Sequence, residues 1–252
     1  MTWLLTLAFD GTEYCGFQVQ PNGRSVAAAF QDALEAVIGF RPDIKGCSRT
    51  DAGVHALGFA LSFEADLRIP PEKLPLALNT KLPRDIRVLS ARVVPDGFHA
   101  RYAAHTKTYL YRIRNSPIDS PFEERYYCRI PGRLDVERMQ RAAAHFVGTH
   151  DFLALCAAHS SAAAHGDTVR TITACGAERH GDTVEITVTA DGYLYNMVRI
   201  LAGTLCEAGA GRLDPEAVPA ILASRDRRLA GPTLPAKGLF LHHVDYGKEA
   251  EG

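Results

Sequence analysis

From Thr183 to Thr189 apolar and polar residues alternate without a break, Val184, Ile186 and Val188 on one side and Glu185 and Thr187 between them. A strand with one face in the core and one in water has this pattern. A different period governs residues 26–38, where Val26, Phe30, Ala33, Leu34, Val37 and Ile38 fall on one helical face, with Ser25 placed to cap the start and Gly39 to end it. The other elements of the first half are shorter. Residues 3–9 (WLLTLAF) read as a strand that stops at the turn dipeptide Asp10-Gly11, and 44–50 and 57–63 as two more. Pro70 and Pro71 open a short helix through Leu78, and 86–94 closes the half as a strand. The order is β-α-β-β-α-β.

The second half repeats it. Residues 107–114 predict a strand, 134–147 a helix with Met139, Ala142, Ala143, Phe146 and Val147 on one side, and 170–178 and 183–189 a strand pair. A helix from Tyr195 to Glu207 buries Met197, Ile200, Leu201, Thr204 and Leu205, another starts near Asp214-Pro215, and 239–246 is the last strand. Two copies of one order predict an α+β fold of two ferredoxin-like (β-α-β-β-α-β) units, 1–104 and 105–252, with a mainly antiparallel sheet, helices on one face and the other face open. No residue-level repeat accompanies the repeated order. The connections 115–132 and 157–166 are the ones expected to move.

Composition narrows the classes. At 252 residues, 46% hydrophobic and 23% charged, the chain can bury a sizeable core, which excludes disorder. Twenty-eight basic against 29 acidic side chains give a net charge of -1, so a nucleic-acid ligand would have to meet locally concentrated charge. Residues 98–141 supply such a concentration, nine basic side chains against five acidic. There is no basic leader ahead of the first apolar run and no apolar stretch of membrane-spanning length, so a cytoplasmic protein is expected. The six cysteines lie at least 19 residues apart with no zinc spacing, which points to buried free thiols and no metal site.

The most informative segment is Cys47-Ser48-Arg49-Thr50-Asp51-Ala52-Gly53-Val54-His55. On a strand Arg49 and Asp51, two apart, point to the same face, and a guanidinium beside a carboxylate keeps it ionised, as a carboxylate nucleophile requires. The plainer reading is a structural ion pair or a turn-capping Asp. The string R-T-D-A-G-V-H resembles the signature of the bacterial tRNA pseudouridine synthase A (TruA) family. Other segments resemble that family in order along nearly the whole chain: 14–22 (YCGFQVQPN), 98–102 (FHARY), 107–111 (KTYLY), 148–152 (GTHDF), 167–172 (DTVRTI), 195–203 (YNMVRILAG) and 231–246 (GPTLPAKGLFLHHVDY). Where family members often carry T-A-P-A, this chain has Thr233-Leu234-Pro235-Ala236, which touches local packing.

The resemblance implies roles. Asp51 takes that of the nucleophile and Arg199 that of the arginine pairing with it; in an apolar helix an arginine needs an anionic partner in any case. Tyr109 packs on the everted uracil, although as a strand residue it also reads as core, and Arg49 lies near the site of base eversion. Tyr111 stays structural. His55, Gln18, Gln20, Arg24, Arg101 and Lys107 are candidate RNA contacts, for which a solvated loop is the alternative. The run Arg225, Arg227, Arg228 fits a phosphate contact or an exposed helix end equally, and adjacent His242 and His243 face opposite sides of a strand and cannot chelate together.

The implied activity is isomerisation of uridine to pseudouridine at positions 38, 39 and 40 of the tRNA anticodon arm, by a homodimer without a cofactor. No atom is gained or lost, in keeping with a sequence that has no phosphate-cradling glycine loop and no dinucleotide fingerprint. A non-catalytic RNA-binding module is the alternative, since a sheet face bearing tyrosines suits single strands. The set Arg49, Asp51 and Arg199 speaks against it, because a binder of phosphates gains nothing from a carboxylate on its working face. A carboxylate hydrolase would need a second acid or a metal cluster.

Overall fold

The computed structural model describes residues 1–21, 23–157 and 164–250. In chain order its elements are β1 (Thr2–Phe9), α1 (Val26–Ile38), β2 (Ile44–Gly46), β3 (His55–Glu64), α2 (Leu74–Asn79), β4 (Ile86–Val94), β5 (Thr106–Arg114) and β6 (Cys128–Arg129). There follow α3 (Val136–Ala144), β7 (Gly148–Asp151), β8 (Val169–His180), β9 (Thr183–Ala190), α4 (Met197–Gly209), α5 (Val218–Ser224) and β10 (Leu239–Asp245). The fold is mixed α+β with mostly antiparallel pairing. The chain divides into two compact units, the first Met1–Lys107 with Phe240–Gly252, the second Thr108–Leu239.

In the first unit the strand order is β4-β1-β3, all antiparallel, with β2 on the other edge of β3. The strand β10 shares that edge, parallel to β3 through Phe240–His55 and Leu241–Ala56. Trp3, Leu5 and Leu7 of β1 and Phe59, Leu61 and Phe63 of β3 are buried with Phe30 and Leu34 of α1. Each such side chain contributes roughly 1.5–3 kcal/mol of burial free energy. The ends of α1 are as the sequence predicts: the Ser25 hydroxyl accepts from the Ala28 N–H, and Gly39 terminates the helix at φ 84°.

In the second unit the order is β5-β9-β8-β7, with the short β6 parallel to β5. Tyr111, Met139, Phe146, Phe152, Ile186 and Val188 lie in its core. The helix α4 is buried nearly all round, and its sequence carries only two charges, Arg199 and Glu207. An arginine in such a helix has to be fastened.

Three expectations change. The strand expected at 44–50 ends at Gly46; beyond Cys47, whose N–H still reaches the Ala60 carbonyl, the chain leaves the sheet. The helix expected from Tyr195 starts at Met197, because Asn196 sits in the left-handed region at φ 61°. The connection 115–132 contains β6 and is closed on itself by Asn115, whose amide donates to the carbonyls of Ile130 and Gly132 while its oxygen accepts from Leu134 N–H. Two strands, β6 and β7, are absent from the sequence reading: β6 has only two residues, and the four residues G-T-H-D of β7 show neither period. Most of 157–166 lies outside the described residues. Among the described residues no helix is long and apolar enough to cross a membrane. The six cysteines are free thiols.

Candidate functional site

Asp51 lies in the loop between β2 and β3, half-buried, with Arg49 exposed two residues before it. The two therefore do not share a strand face, and the reason is local. The backbone of this loop is satisfied by the loop after β1 instead of by a ladder: the Gly53 N–H donates to the Tyr14 carbonyl, and the Thr50 hydroxyl accepts from the Phe17 N–H. The Val54 N–H closes a turn onto the Asp51 carbonyl at 3.2 Å. At Gly16 a Cβ would lie 2.2 Å from the Thr50 carbonyl oxygen, and φ is 96°, so only glycine lets the two loops touch backbone to backbone. Phe17 then stacks on Phe59 of β3 at 4.2 Å, anchoring the contact to the core.

The other candidates of the first unit take different positions. His55 is 1% exposed, stacked on Phe240, its Nδ1 accepting from the Gly11 N–H at 3.0 Å. Its ring thus ties the end of β1 to the start of β3. Lys107 is buried and near enough to Cys47 for its charge to be felt there; burial still pushes the Cys47 thiol up to about 12, so it is protonated at neutral pH. Gln18 and Arg101 are exposed, the Arg101 guanidinium 5.9 Å over the Tyr102 ring. Arg24 lies over the Tyr14 ring at 4.7 Å and 3.9 Å from Asp85, while the Gln20 amide donates to the Cys15 carbonyl. Tyr14 donates to Asp85 at 2.7 Å, and burial followed by that carboxylate holds its phenol above the ordinary range. These residues brace the loop on which Asp51 depends. Sequence reading placed Tyr14 in the 14–22 string without a role and did not single out Asp85, 71 positions away.

In the second unit Arg199 is fastened on two sides. Its Nε donates to the Leu234 carbonyl at 2.7 Å and its Nη1 to Asn196 Oδ1 at 2.8 Å, while the Leu234 N–H returns a bond to the Arg199 carbonyl at 3.3 Å. The segment after α5 reaches α4 because Gly203 leaves room: a Cβ there would lie 1.9 Å from the Pro232 oxygen. Thr204 adds a bond from the Gly231 N–H to its hydroxyl, and Tyr111 donates to the Pro235 carbonyl at 2.7 Å. The departure at Leu234 is thereby accounted for, because the contacts that hold Arg199 are made by its backbone. Tyr109, 5% exposed, meets Tyr193 edge to face at 4.9 Å, and the Tyr193 hydroxyl donates to the Val188 carbonyl at 2.8 Å. Tyr193 and Asn196 are further residues that sequence reading did not single out.

The basic excess of 98–141 is in part structural. Arg112 pairs with Glu185, Arg114 with Glu123 and Asp182, and Arg138 donates to the carbonyls of Ala208 and Leu213. Likewise Arg225 pairs with Asp151, Arg228 with Asp226, and Arg227 donates to Thr233. His242 and His243 are exposed on β10. Among the described residues no group of three or more His, Cys, Asp or Glu is placed to hold a metal ion.

A family model described as tRNA pseudouridine synthase matches residues 6–103 and 142–247. The chain is 47% identical to tRNA pseudouridine synthase A of Moorella thermoacetica over 244 residues, covering 96% of this chain and 98% of that protein. It is 45% identical to tRNA pseudouridine synthase A of Shouchella clausii, covering 96% and 92%, and 42% identical to that of Bacillus pumilus, covering 96% and 97%.

Proposed function

The chain belongs to the tRNA pseudouridine synthase family, and from that premise we propose that it isomerises uridine to pseudouridine in the tRNA anticodon arm, at positions 38, 39 and 40, with Asp51 as nucleophile. The observation that carries the reading is the R-T-D-A-G-V-H string in a loop whose backbone is fixed on both sides while its carboxylate stays half-buried.

In the reaction the bond from C1′ to N1 of the uracil breaks, the base turns, and C1′ bonds to C5; the C5 proton leaves and N1 gains one. Asp51 acts on the everted nucleotide at C1′, at C6 or on the C2′ proton. Arg199 keeps that carboxylate ionised and oriented, and Tyr109 offers the base a ring face in place of its lost stacking neighbours. Arg49, exposed ahead of Asp51, meets the RNA backbone where the nucleotide leaves the helix, with Gln18, Arg101 and Lys107 as further contacts. Such a reaction asks for charge and position and for no cofactor.

Two ferredoxin-like repeats belong to the same reading. The first unit has the order β4-β1-β3-β2, and β5-β9-β8 repeats the 1-3-2 part of it. The protein acts in the cytoplasm as a homodimer, which light scattering checks against twice the 27.4 kDa chain mass.

The test is tritium release from unmodified tRNA labelled at uridine C5. Wild type releases it; Asp51→Ala releases none while still binding tRNA. Turnover that survives in Asp51→Ala overturns the assignment of Asp51, and wild-type protein that binds tRNA without release leaves a non-catalytic RNA-binding module.

A further inference from the structure

Among the described residues only two other than glycine have positive φ, Asn196 and Arg225. Asn196 stands at φ 61°, ψ 6° directly before α4, at the position where an asparagine side chain ordinarily caps the first turn from extended backbone. Here no cap bond is made by the side chain. The left-handed backbone turns it elsewhere: Oδ1 accepts from Arg199 Nη1 at 2.8 Å, three residues on. The helix start is supported by backbone instead, with the Met197 N–H on the Leu194 carbonyl at 3.1 Å.

A sparsely populated conformation and a forgone cap are both unfavourable, and they persist only where the surroundings impose them. What they provide is an oxygen on one side of a guanidinium whose other side is already fixed by the Leu234 carbonyl at 2.7 Å. Two acceptors on different edges of a planar group set its rotation as well as its place.

We infer that Asn196 is a positioning residue for Arg199: its side chain orients the guanidinium that serves the catalytic carboxylate, acting through Arg199 without touching substrate. The inference rests on the proposed roles of Asp51 and Arg199. It separates Asn196 from an ordinary helix cap, whose loss would loosen α4 and lower thermal stability with little specific effect on chemistry.

Glycine discriminates between the two, because it accepts φ 61° without strain and removes only the amide. Single-turnover rate, tRNA dissociation constant and melting temperature are measured for wild type, Asn196→Gly, Asn196→Asp and Asp51→Ala. The expected result is a rate lowered about tenfold or more in Asn196→Gly, with tRNA affinity within about twofold of wild type and a melting temperature no lower. Asn196→Asp, which retains an oxygen acceptor and tolerates the left-handed backbone, recovers most of that rate. Asn196→Gly at the wild-type rate, Asn196→Gly slowed only in step with lost stability or lost affinity, or Asn196→Asp as slow as Asn196→Gly each overturns the inference. Failure of the underlying reading looks different: wild type is then inactive, or Asp51→Ala remains active.

Discussion

Asp51 and Arg199 are held by opposite means. The aspartate sits in a loop outside any element, and the loop itself is fixed by close backbone contacts: Gly16 against Thr50, the Gly53 N–H on the Tyr14 carbonyl, and the Phe17 N–H on the Thr50 hydroxyl. The arginine sits in the most regular and most buried helix of the second unit, and its guanidinium is held by acceptors from Asn196 and Leu234. The difference follows from the side chains. A carboxylate has two rotatable bonds, so fixing its Cα nearly fixes its oxygens. A guanidinium lies at the end of four, and a rigid helix leaves its tip undetermined until other groups bind it. Short charged groups are therefore placed by backbone and long ones by partners.

The aspartate side is broken most directly at Gly16. Alanine there would bring a Cβ to 2.2 Å from the Thr50 oxygen at a φ of 96°, so the loops must separate. Overpacking and backbone strain together should destabilise the protein by roughly 2–4 kcal/mol. A displacement of the carboxylate approaching 1 Å should lower turnover about 100-fold. Urea unfolding and the tritium assay measure the two effects separately. Normal turnover in Gly16→Ala would show that Asp51 is not located by this approach.

These two modes of holding also decide what could be read from sequence. A loop fixed by its own glycines and polar residues leaves a compact string, and R-T-D-A-G-V-H was visible as one. The α1 helix was legible to both ends, because Ser25 and Gly39 are local signals. Arg199 was legible as a charge in an apolar helix in need of a partner, but the groups that hold it were not. Leu234 is 35 residues away and contributes main-chain atoms, which leave no mark on residue type. Asn196 fell inside the helix expected from Tyr195 and carried no signal of its own. The strand expected through Thr50 failed because beyond Cys47 the hydrogen-bonding partner changes from β3 to the loop after β1, a change only tertiary structure records.

A smaller break on the same side is Thr50→Val, which preserves volume and removes the hydroxyl. The Phe17 N–H, buried at 3.1 Å from that oxygen, then loses its acceptor, at a cost of about 1–3 kcal/mol. With Gly16 unchanged the loops stay in contact, so turnover should fall no more than about tenfold. Thr50→Ser restores the acceptor and should restore stability. If Thr50→Val unfolds at the wild-type urea concentration, water or another group satisfies the amide and the bond is dispensable.

On the arginine side the comparison predicts an effect near zero. Leu234 holds Arg199 through its carbonyl and its N–H, so Leu234→Ala keeps both bonds. The side chain is buried and its truncation should lower stability by about 2 kcal/mol. Turnover below the unfolding range should nevertheless stay within about twofold of wild type, because nothing that orients the guanidinium has been removed. This dissociation of stability from activity is the reverse of what Asn196→Gly should show. Should Leu234→Ala slow the reaction as well, the leucine side chain takes part in fixing the Pro232–Pro235 segment, and backbone contacts alone do not hold the arginine.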